Sequence, residues 1–272
     1  MLEQDHKSNE NWDTSSHQEF LDYYAQQSLN QKTFDHFNAI KNLVIRALGD
    51  SAKDKVFNVL DVGCGAGSQC GIWAEGGHHV VGLDVNAPLI EIAQARAKEQ
   101  GLKIDFHVGS ATQLPLENNS IDICLMPELL EHVADWEKCL LEAVRVLKPG
   151  GVLYLSTSNK LCPIQQEFNL PLYGWYPASI KRHYEKLAVT TRPDLANYAT
   201  YPAVNWFSFF QLKGLLAKYG LISSDRFDVM DVSNKPWLIK VARTLVQTLP
   251  GLRFMAHVFT PYTLVLAKKK SH

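Results

Sequence analysis

The sequence lacks an imbalance of charge, a long apolar run and an apolar leader. Lys and Arg number 27 against 28 Asp and Glu in 272 residues, so no overall field attracts the chain to nucleic acid. No run of roughly 18 apolar residues occurs, which argues against a membrane-spanning helix. The first residues are polar and do not resemble a secretory signal. These absences predict a cytoplasmic protein without a nucleic-acid partner.

The chain has few cysteines, and their spacing matches no common disulfide or metal-binding motif. The chain has five cysteines, which are Cys64, Cys70, Cys124, Cys139 and Cys162. An odd number with no Cys-x-x-Cys spacing disfavours both a disulfide framework and a zinc site. Reduced thiols in a cytosolic protein are therefore expected, and Cys64 is interpreted as a small thiol filling a turn.

Short β-rich runs alternate with helical patterns from residue 55 onward. The runs are "VFNVLDVG", "HHVVGLDV", "IDFHVGSA", "SIDICLM", "GVLYLSTS", "LISSDRFDVMDV" and "PYTLVLAKK". Helices are predicted over Gln69–Glu75, Pro88–Gln100 and Asp135–Leu147, the last ended by "KPGG". This alternation predicts an α/β fold with a doubly wound, mostly parallel sheet of seven strands.

Changes in composition and hydrophobic pattern along the chain suggest a division into four regions. They are a helical N-terminal cover at 1–50 with a polar break near Asn30, a strand–helix core at 51–158, a loop-rich lid insertion at 159–205, and a C-terminal part at 206–272 that contains an apolar and basic insertion at 233–259. The lid insertion is rich in aromatics and proline and fits no regular period. It is therefore expected to form loops over the edge of the sheet.

A glycine loop joins the first predicted strand to the next helix. "NVLDVGCGAGSQC" places Gly63, Gly65 and Gly67 where backbone N–H groups can approach a ligand. The dinucleotide-binding fingerprint requires a further glycine where this chain has Ser68. Asp61, just before the loop, would repel a pyrophosphate. The loop therefore argues against NAD.

Two carboxylates suggest a different ligand. Asp61 suits a ligand that has a cationic amino group. Asp84 ends the second predicted strand about 20 residues beyond the loop, where a carboxylate can hold ribose hydroxyls. An amine near Asp61 and a ribose near Asp84 together describe S-adenosylmethionine.

Five ordered motifs resemble those of the class I S-adenosylmethionine-dependent methyltransferases. They are "VLDVGCGAG", "VVGLDV", "GSATQLPL", "IDICLMPELLEHV" and "VLKPGGVLYLSTSN", which cover roughly residues 56–158. Within the superfamily, "PELLEHV" and "STSN" are most similar to the ubiquinone-biosynthesis O-methyltransferase type. The resemblance implies a Rossmann-like methyltransferase fold whose seventh strand is antiparallel.

The resemblance also implies a set of cofactor-binding positions. They are Asp61, Gly63, Gly65, Gly67, Asp84, Val85, Ser110, Ala111 and Pro127. Many relatives have an Asp at position 110, whereas Ser110 hydrogen-bonds without a charge. Candidates from the N-terminal cover are Lys41 or Arg46 for the methionine carboxylate and Tyr23 and Tyr24 as covering rings.

"MPELLEHVADW" follows the fourth predicted strand and leaves three interpretations open. In the first, Glu128, Glu131 and His132 coordinate Mg²⁺, which would hold the oxygens of a catechol. In the second, His132 is a general base oriented by Glu131 or Glu128. In the third, the stretch only shapes the turn after the strand, as in methyltransferases that use no metal. Further acid or base candidates are His183, Tyr173, Tyr184 and His257.

The two insertions bear on the acceptor. The lid offers Asn159 as a polar contact and a set of rings that could wall an aromatic or lipophilic small molecule, namely Phe168, Tyr173, Trp175, Tyr176 and Tyr184. The segment at 233–259 suits packing within a monomer, a homodimer interface or peripheral contact with a membrane. The leading expectation is O-methylation of a phenolic or other hydroxyl. N- or C-methylation and a catalytically silent cofactor-binding protein are the alternatives.

Overall fold

The structure is a computed structural model that describes residues 26, 28–49, 52, 54–165, 167–188, 190–196, 203 and 205–271. Along the chain the helices and strands are α1 (Gln31–Leu48), β1 (Asn58–Val62), α2 (Ser68–Glu75), β2 (His79–Asp84), α3 (Ala87–Glu99), β3 (Ile104–Val108), β4 (Ile121–Pro127), α4 (Trp136–Val146), β5 (Leu147–Ser158), α5 (Ala178–Ala188), α6 (Phe209–Lys218), β6 (Leu221–Asp225), α7 (Arg226–Val229), α8 (Trp237–Thr248), α9 (Pro250–Val258) and β7 (Tyr262–Lys269).

The strands form one seven-stranded sheet in the order β3-β2-β1-β4-β5-β7-β6. The predicted α/β architecture with a mostly parallel sheet of seven strands is confirmed. The chain divides into two compact units, the first made of Met1–Pro127, Ala134–Tyr154 and Lys268–His272 and the second of Glu128–Val133 and Leu155–Ala267. No helix in the described ranges is both long and apolar enough to cross a bilayer.

In the first unit, β1 pairs in parallel with both β2 and β4. Asp61 is in register with Gly82 on one side and with Leu125 on the other. Since parallel strands end at the same edge, the last residues of β1, β2 and β4 lie at one edge of the sheet. β1 itself is buried, as are the apolar residues of β4.

Helix starts in the first unit follow the polar caps in the sequence. The side chain of Asn30 accepts a hydrogen bond from the backbone N–H of Lys32 and starts α1, which confirms the predicted polar break. Asn86 and Asp135 cap α3 and α4 in the same way. The bounds of α2, α3 and α4 differ by about one residue from those predicted. The helix expected before Asn30 lies almost wholly outside the described residues.

In the second unit, the sixth strand is shorter than predicted. The sequence suggested a strand over "LISSDRFDVMDV", yet β6 ends at Asp225. The Asp225 carboxylate accepts hydrogen bonds from the backbone N–H groups of Phe227 and Asp228, which starts α7. A capping aspartate therefore ends the strand inside the run that was predicted to be a single strand.

The lid insertion contains more regular structure than predicted. The expectation of a loop-rich segment at 159–205 is wrong in part, because α5 spans 11 residues of it. Phe168 and Tyr173 stack with ring centroids 4.1 Å apart, and both are buried with Trp206 nearby. Aromatic rings close in sequence thus build a small core, to which Tyr176, Tyr184 and Leu187 of the same segment add partly buried side chains.

Candidate functional site

The glycine loop of the first unit is held against the end of β2. The backbone N–H groups of Gly63 and Cys64 both donate to the carbonyl oxygen of Leu83, at 2.7 and 3.1 Å. Gly63, Gly65 and Gly67 have φ values of 77°, 51° and 80°. Only glycine adopts this left-handed region without strain, so all three predicted loop glycines are required by the backbone.

Close packing adds a second requirement at Gly67 and Gly82. A Cβ atom at Gly67 would lie 2.8 Å from the Cβ of Ala93 and 3.0 Å from the ring of Phe106. At Gly82 it would lie 2.7 Å from the same ring and 3.0 Å from the sulfur of Cys64. Phe106 therefore packs directly on the loop and on β2, and side chains are excluded from both positions.

Asp84 organises the loop through its two carboxylate oxygens. Oδ2 accepts a hydrogen bond from Gly65 N–H at 2.8 Å and Oδ1 accepts one from Asn86 N–H at 2.9 Å. Burial raises the pKa of Asp84, while the backbone N–H groups of Asn86, Gly65 and Val85 oppose the rise. Each oxygen keeps a further lone pair, so the carboxylate can accept hydrogen bonds from a ligand's hydroxyl groups.

Asp61 is almost wholly buried at the end of β1. Its oxygens lie 3.4 Å from the amide nitrogen of Gln69 and 3.4 Å from the sulfur of Cys70. Burial raises its pKa to about 7, the Cys70 thiol opposes the rise, and the charge of Asp84 adds to it. The Oε1 atom of Gln69 is buried without a hydrogen-bond partner among the described residues. A buried acid with weak partners is suited to a cationic group.

The other predicted cofactor positions lie in the loops that follow the strands. Val85 is half-exposed directly after β2. Ser110 and Ala111 follow β3, where the Ser110 hydroxyl lies 2.8 Å from that of Thr112. Pro127 is the last residue of β4. The parallel pairing places these positions at the edge occupied by the glycine loop.

Two predicted contributions from the N-terminal cover receive no support. Lys41 donates to the Ile72 carbonyl oxygen at 2.7 Å and lies over the Trp73 ring, so it fixes α1 on α2. Tyr23 and Tyr24 lie outside the described residues. The sequence did not single out Arg96, which donates to the Ala66 carbonyl oxygen of the glycine loop at 3.3 Å. An arginine within an ordinary helical pattern gives no signal for such a role.

The second unit begins at the stretch after β4, which is not α-helical. Glu128 has a φ of 51°, and a single 3₁₀ turn spans Leu130–His132. The Glu128 N–H donates to the Ser156 carbonyl oxygen at 2.9 Å, and Asn205 binds the carbonyl oxygens of Glu131 and Val133. Although the spacing of Glu128, Glu131 and His132 would place them on one side of an α-helix, this stretch is not α-helical and does not do so.

Glu131 is a buried acid at the start of this unit. It is 1% exposed, and its Oε2 atom has no hydrogen-bond partner among the described residues. Burial raises its pKa to about 8; its own backbone N–H and the nearby Thr157 hydroxyl oppose this, and the charges of Glu128 and Glu167 add to it. The Thr157 and Ser156 hydroxyls likewise have no hydrogen-bond partner of normal geometry in the described part of the chain. The Glu131 carboxyl can therefore take up and release a proton near neutral pH.

Residues distant in sequence complete this cluster. Glu167 accepts a hydrogen bond from the Ser158 hydroxyl at 3.0 Å. Burial raises the pKa of Tyr262 to about 12, and the carboxylates of Glu128, Glu167 and Glu131 contribute. Sequence reasoning missed Glu167 and Tyr262, because neither belongs to a motif. Ser158 lies in the quoted "STSN", which could have drawn attention to β5.

Several sequence candidates have structural roles instead. Asn159 is buried and donates to the carbonyl oxygens of His257 and Thr260, so it is not an acceptor contact. His257 is buried beside Asp225 at 2.8 Å. Phe168 and Tyr173 belong to the small core of the lid insertion, which corrects their expected place in an acceptor wall. Cys64 is buried, as expected for a turn-filling thiol.

Magnesium receives no support from the geometry. Within the described ranges, no three His, Cys, Asp or Glu side chains are grouped so that they could hold a metal ion. The predicted coordination of Mg²⁺ by Glu128, Glu131 and His132 is therefore not supported.

Comparison with known proteins supports the resemblance of the motifs. Residues 60–155 match a methyltransferase domain family. The chain is 34% identical over 178 residues to a ubiquinone biosynthesis O-methyltransferase of Chelativorans sp., covering 63% of this chain and 61% of the relative. It is 35% identical over 134 residues to a protein of the same description from Maricaulis maris, covering 47% and 52%. The match thus spans less than two thirds of these relatives' lengths.

Solved structures share the fold at low sequence identity. The PH0226 protein from Pyrococcus horikoshii is 16% identical with a TM-score of 0.56, covering 89% of this chain and 93% of that one. An S-adenosylmethionine-dependent methyltransferase from Mesorhizobium loti is 18% identical with a TM-score of 0.54, covering 83% and 95%. Residues 60–155 of this chain are accordingly similar to a methyltransferase domain, and the chain shares the fold of these solved structures, one of which is an S-adenosylmethionine-dependent methyltransferase.

Proposed function

We propose that this protein transfers a methyl group from S-adenosylmethionine to a hydroxyl oxygen of a small-molecule acceptor. The glycine loop is the observation on which the proposal rests. Three left-handed glycines leave three positions of the loop without side chains, Asp84 fixes the loop through Gly65, and Asp61 is buried beside it. The relatives described as ubiquinone biosynthesis O-methyltransferases favour oxygen as the accepting atom.

The residues present fit the cofactor. Asp61 is a buried acid with only weak partners, which suits the amino group of the methionine moiety. The unpartnered Oε1 of Gln69 is a second acceptor beside it. Asp84 has lone pairs left for ribose hydroxyls, and Ser110 follows the next strand of the sheet. When bound, S-adenosylmethionine supplies an electrophilic methyl group to a nucleophilic oxygen.

Glu131 is proposed as the base that accepts the proton of the hydroxyl. A hydroxyl is a poor nucleophile until it loses its proton, and a base with a pKa near the working pH serves this best. The pKa of about 8 and the unpartnered Oε2 suit Glu131 for that role. We assign His132, which is half-buried on the same 3₁₀ turn, to positioning the acceptor. No step in this proposal requires a metal.

Isothermal titration with S-adenosylmethionine tests the binding part. Asp84→Asn removes the charge and one of the two acceptors that fix the loop, so we expect about 10- to 100-fold weaker binding. Asp105→Asn is the matched control, because Asp105 is an exposed carboxylate on the adjacent strand β3. Absence of binding by the unmodified protein, or equal losses in both variants, would contradict the proposal.

The catalytic part needs a pH profile. The protein is incubated with methyl-labelled S-adenosylmethionine and a panel of catechols and other phenols, with and without EDTA, and labelled products are identified by mass spectrometry. We expect turnover to rise with pH through about 8 as Glu131 loses its proton, and Glu131→Gln to lower kcat by about 10²- to 10⁴-fold. Glu137→Gln, an exposed glutamate in the first turn of α4, is the control. Labelled nitrogen or carbon products would show the accepting atom to be wrong.

A further inference from the structure

Helix α8 presents its apolar side to solvent. The side of the helix nearest the rest of the second unit is polar: Arg243 donates to the carbonyl oxygens of Phe227 and Asp228 at 2.9 and 2.8 Å, and Gln247 donates to that of Phe227 at 2.9 Å. Val241 and Leu245, four residues apart, are 46% and 45% exposed. None of the residues of α8 is buried. The usual orientation of an amphipathic helix is therefore reversed.

Helix α9 repeats this reversal. Arg253 and His257, one helical turn apart, both reach the buried carboxylate of Asp225 at 2.8 Å. Leu252 and Met255 on the other side are 46% and 47% exposed. The ion pairs hold the helix firmly on β6 and α7, so its apolar residues are exposed in a docked helix.

These exposed residues form what we call the outward apolar face. Ten of the 22 large hydrophobic residues that are exposed in the described chain lie between positions 237 and 259. The face itself consists of Trp237, Leu238, Val241, Leu245, Leu249, Leu252, Met255 and Phe259. Scattered exposed apolar residues are common, but a concentration of this kind on two consecutive helices marks an interaction surface.

The charge of residues 232–261 indicates which kind of partner the outward apolar face would bind. Residues 232–261 contain four Lys and Arg and no Asp or Glu. Arg243 and Arg253 are engaged with the protein, whereas Lys235 and Lys240 are exposed and have no ion pair in the part of the chain that the structure describes. A second copy of the chain would bring its own face of the same charge, which is unfavourable in a symmetric dimer. An anionic surface is complementary.

We propose that the outward apolar face docks the protein on a bilayer that contains anionic phospholipids. Trp237, Leu245 and Phe259 enter the boundary between headgroups and acyl chains, and Lys235 and Lys240 contact the lipid phosphates. The inward arginines keep the two helices fixed while their apolar residues leave water. This inference does not depend on the methyl-transfer proposal, because the surface lies apart in sequence from both the glycine loop and Glu131.

Vesicle sedimentation tests the docking. The full chain is mixed with vesicles of phosphatidylcholine alone or with 30 mol% phosphatidylglycerol, a composition of about 7:3 chosen to supply anionic charge. We expect binding mainly to the anionic vesicles, with a loss of about tenfold or more in V241Q/L245Q/L249Q. The matched control, V56Q/I164Q/I222Q, replaces exposed apolar residues elsewhere and is expected to bind normally.

A charge variant separates the two contributions. K235Q/K240Q is expected to lose about fivefold per lysine on anionic vesicles and little on neutral ones. Absence of binding by the unmodified protein, or an equal loss in the control variant, would overturn the proposal. Sedimentation velocity without lipid supplies the remaining test: a dimer that V241Q/L245Q/L249Q converts to a monomer would identify a second copy as the occupant. Each assay omits cofactor and acceptor, so its result is independent of activity.

Discussion

Helices α4 and α8 have similar lengths and similar amphipathic sequences but opposite orientations. In the first unit, α4 buries Cys139, Leu140, Ala143 and Val146. In the second, α8 buries none of its residues and directs Arg243 and Gln247 toward the protein. The same periodicity therefore produces a core helix in one place and an exposed apolar surface in the other. Backbone carbonyl oxygens bind the polar side of both helices, since Arg145 of α4 donates to those of Leu114 and Leu116. What differs is that the apolar side of α4 is buried and that of α8 is not.

The largest expected effect in this comparison is on the free energy of unfolding. Leu140→Ala leaves a cavity at a position with no exposed surface, and we expect a loss of about 2–5 kcal/mol. Leu245→Ala changes the same side chain on α8 at a position that is 45% exposed, and a change within about 0.5 kcal/mol is expected. Urea denaturation of both variants measures this. Similar losses would mean that α8 is packed as α4 is.

The polar contacts between α9 and Asp225 at the end of β6 provide the next test. Burial would raise the pKa of Asp225, but hydrogen bonds from His257 and Arg253 hold it below its usual value. Arg253→Leu leaves that carboxylate buried with fewer partners, and a loss of about 2–3 kcal/mol is expected because His257 and backbone N–H groups still contact it. The free energy of unfolding is measured by denaturation.

Arg192→Leu is the control for this change. Arg192 and Asp194 form an ion pair with similar distances, but both are exposed. We expect no measurable change in stability there, because water screens exposed pairs. If the two variants behaved alike, the ion pairs of Arg253 would not be what holds α9 in place, and the reversed orientation of the helix would need another cause.

How far the sequence predicts this structure differs between the two units. The glycine loop, Asp61 and Asp84 could be predicted because their requirements are local: left-handed glycines next to a strand and acids at strand ends. The roles of Glu167 and Tyr262 could not, because folding brings them to Glu131 from distant parts of the chain. Nor could the burial of Asn159, whose partners lie about 100 residues further along. The composition of 233–259 indicated an apolar and basic segment, but not which side of α8 faces water.

Glycine substitutions test how strictly the first unit is determined by local geometry. Gly67→Ala places a Cβ at a φ of 80° and 2.8 Å from Ala93, so we expect a loss of about 1–3 kcal/mol and weaker cofactor binding. Gly214→Ala in α6 is the control, since a Cβ there meets no atom within 4 Å. That change should stabilise the protein by about 0.5–1 kcal/mol. A tolerated Gly67→Ala would show that the loop adjusts easily.

The two buried acids extend the comparison to pH. In the first unit, burial raises the pKa of Asp61 to about 7 in the absence of ligand. Below that pH the carboxyl is protonated, and a cationic amino group must displace the proton to bind. The dissociation constant of S-adenosylmethionine should therefore rise by up to about tenfold per pH unit below 7. Above roughly pH 8 the ligand's amino group itself loses its charge, so affinity should be greatest between about pH 7 and 8.

Titration calorimetry from about pH 5.5 to 8.5 at constant ionic strength measures this dependence. Asp61→Asn has no carboxylate to protonate at this position. Its affinity for S-adenosylmethionine should therefore be lower at pH 7.5 and should lose the steep decrease below pH 7, which we call the acidic limb. Asp105→Asn should keep that limb, because its carboxylate is exposed on β3. Glu131→Gln should keep it as well, since Glu131 is proposed to act on the acceptor and its pKa is about 8. An acidic limb that is lost in Glu131→Gln and kept in Asp61→Asn would instead assign the cation to Glu131.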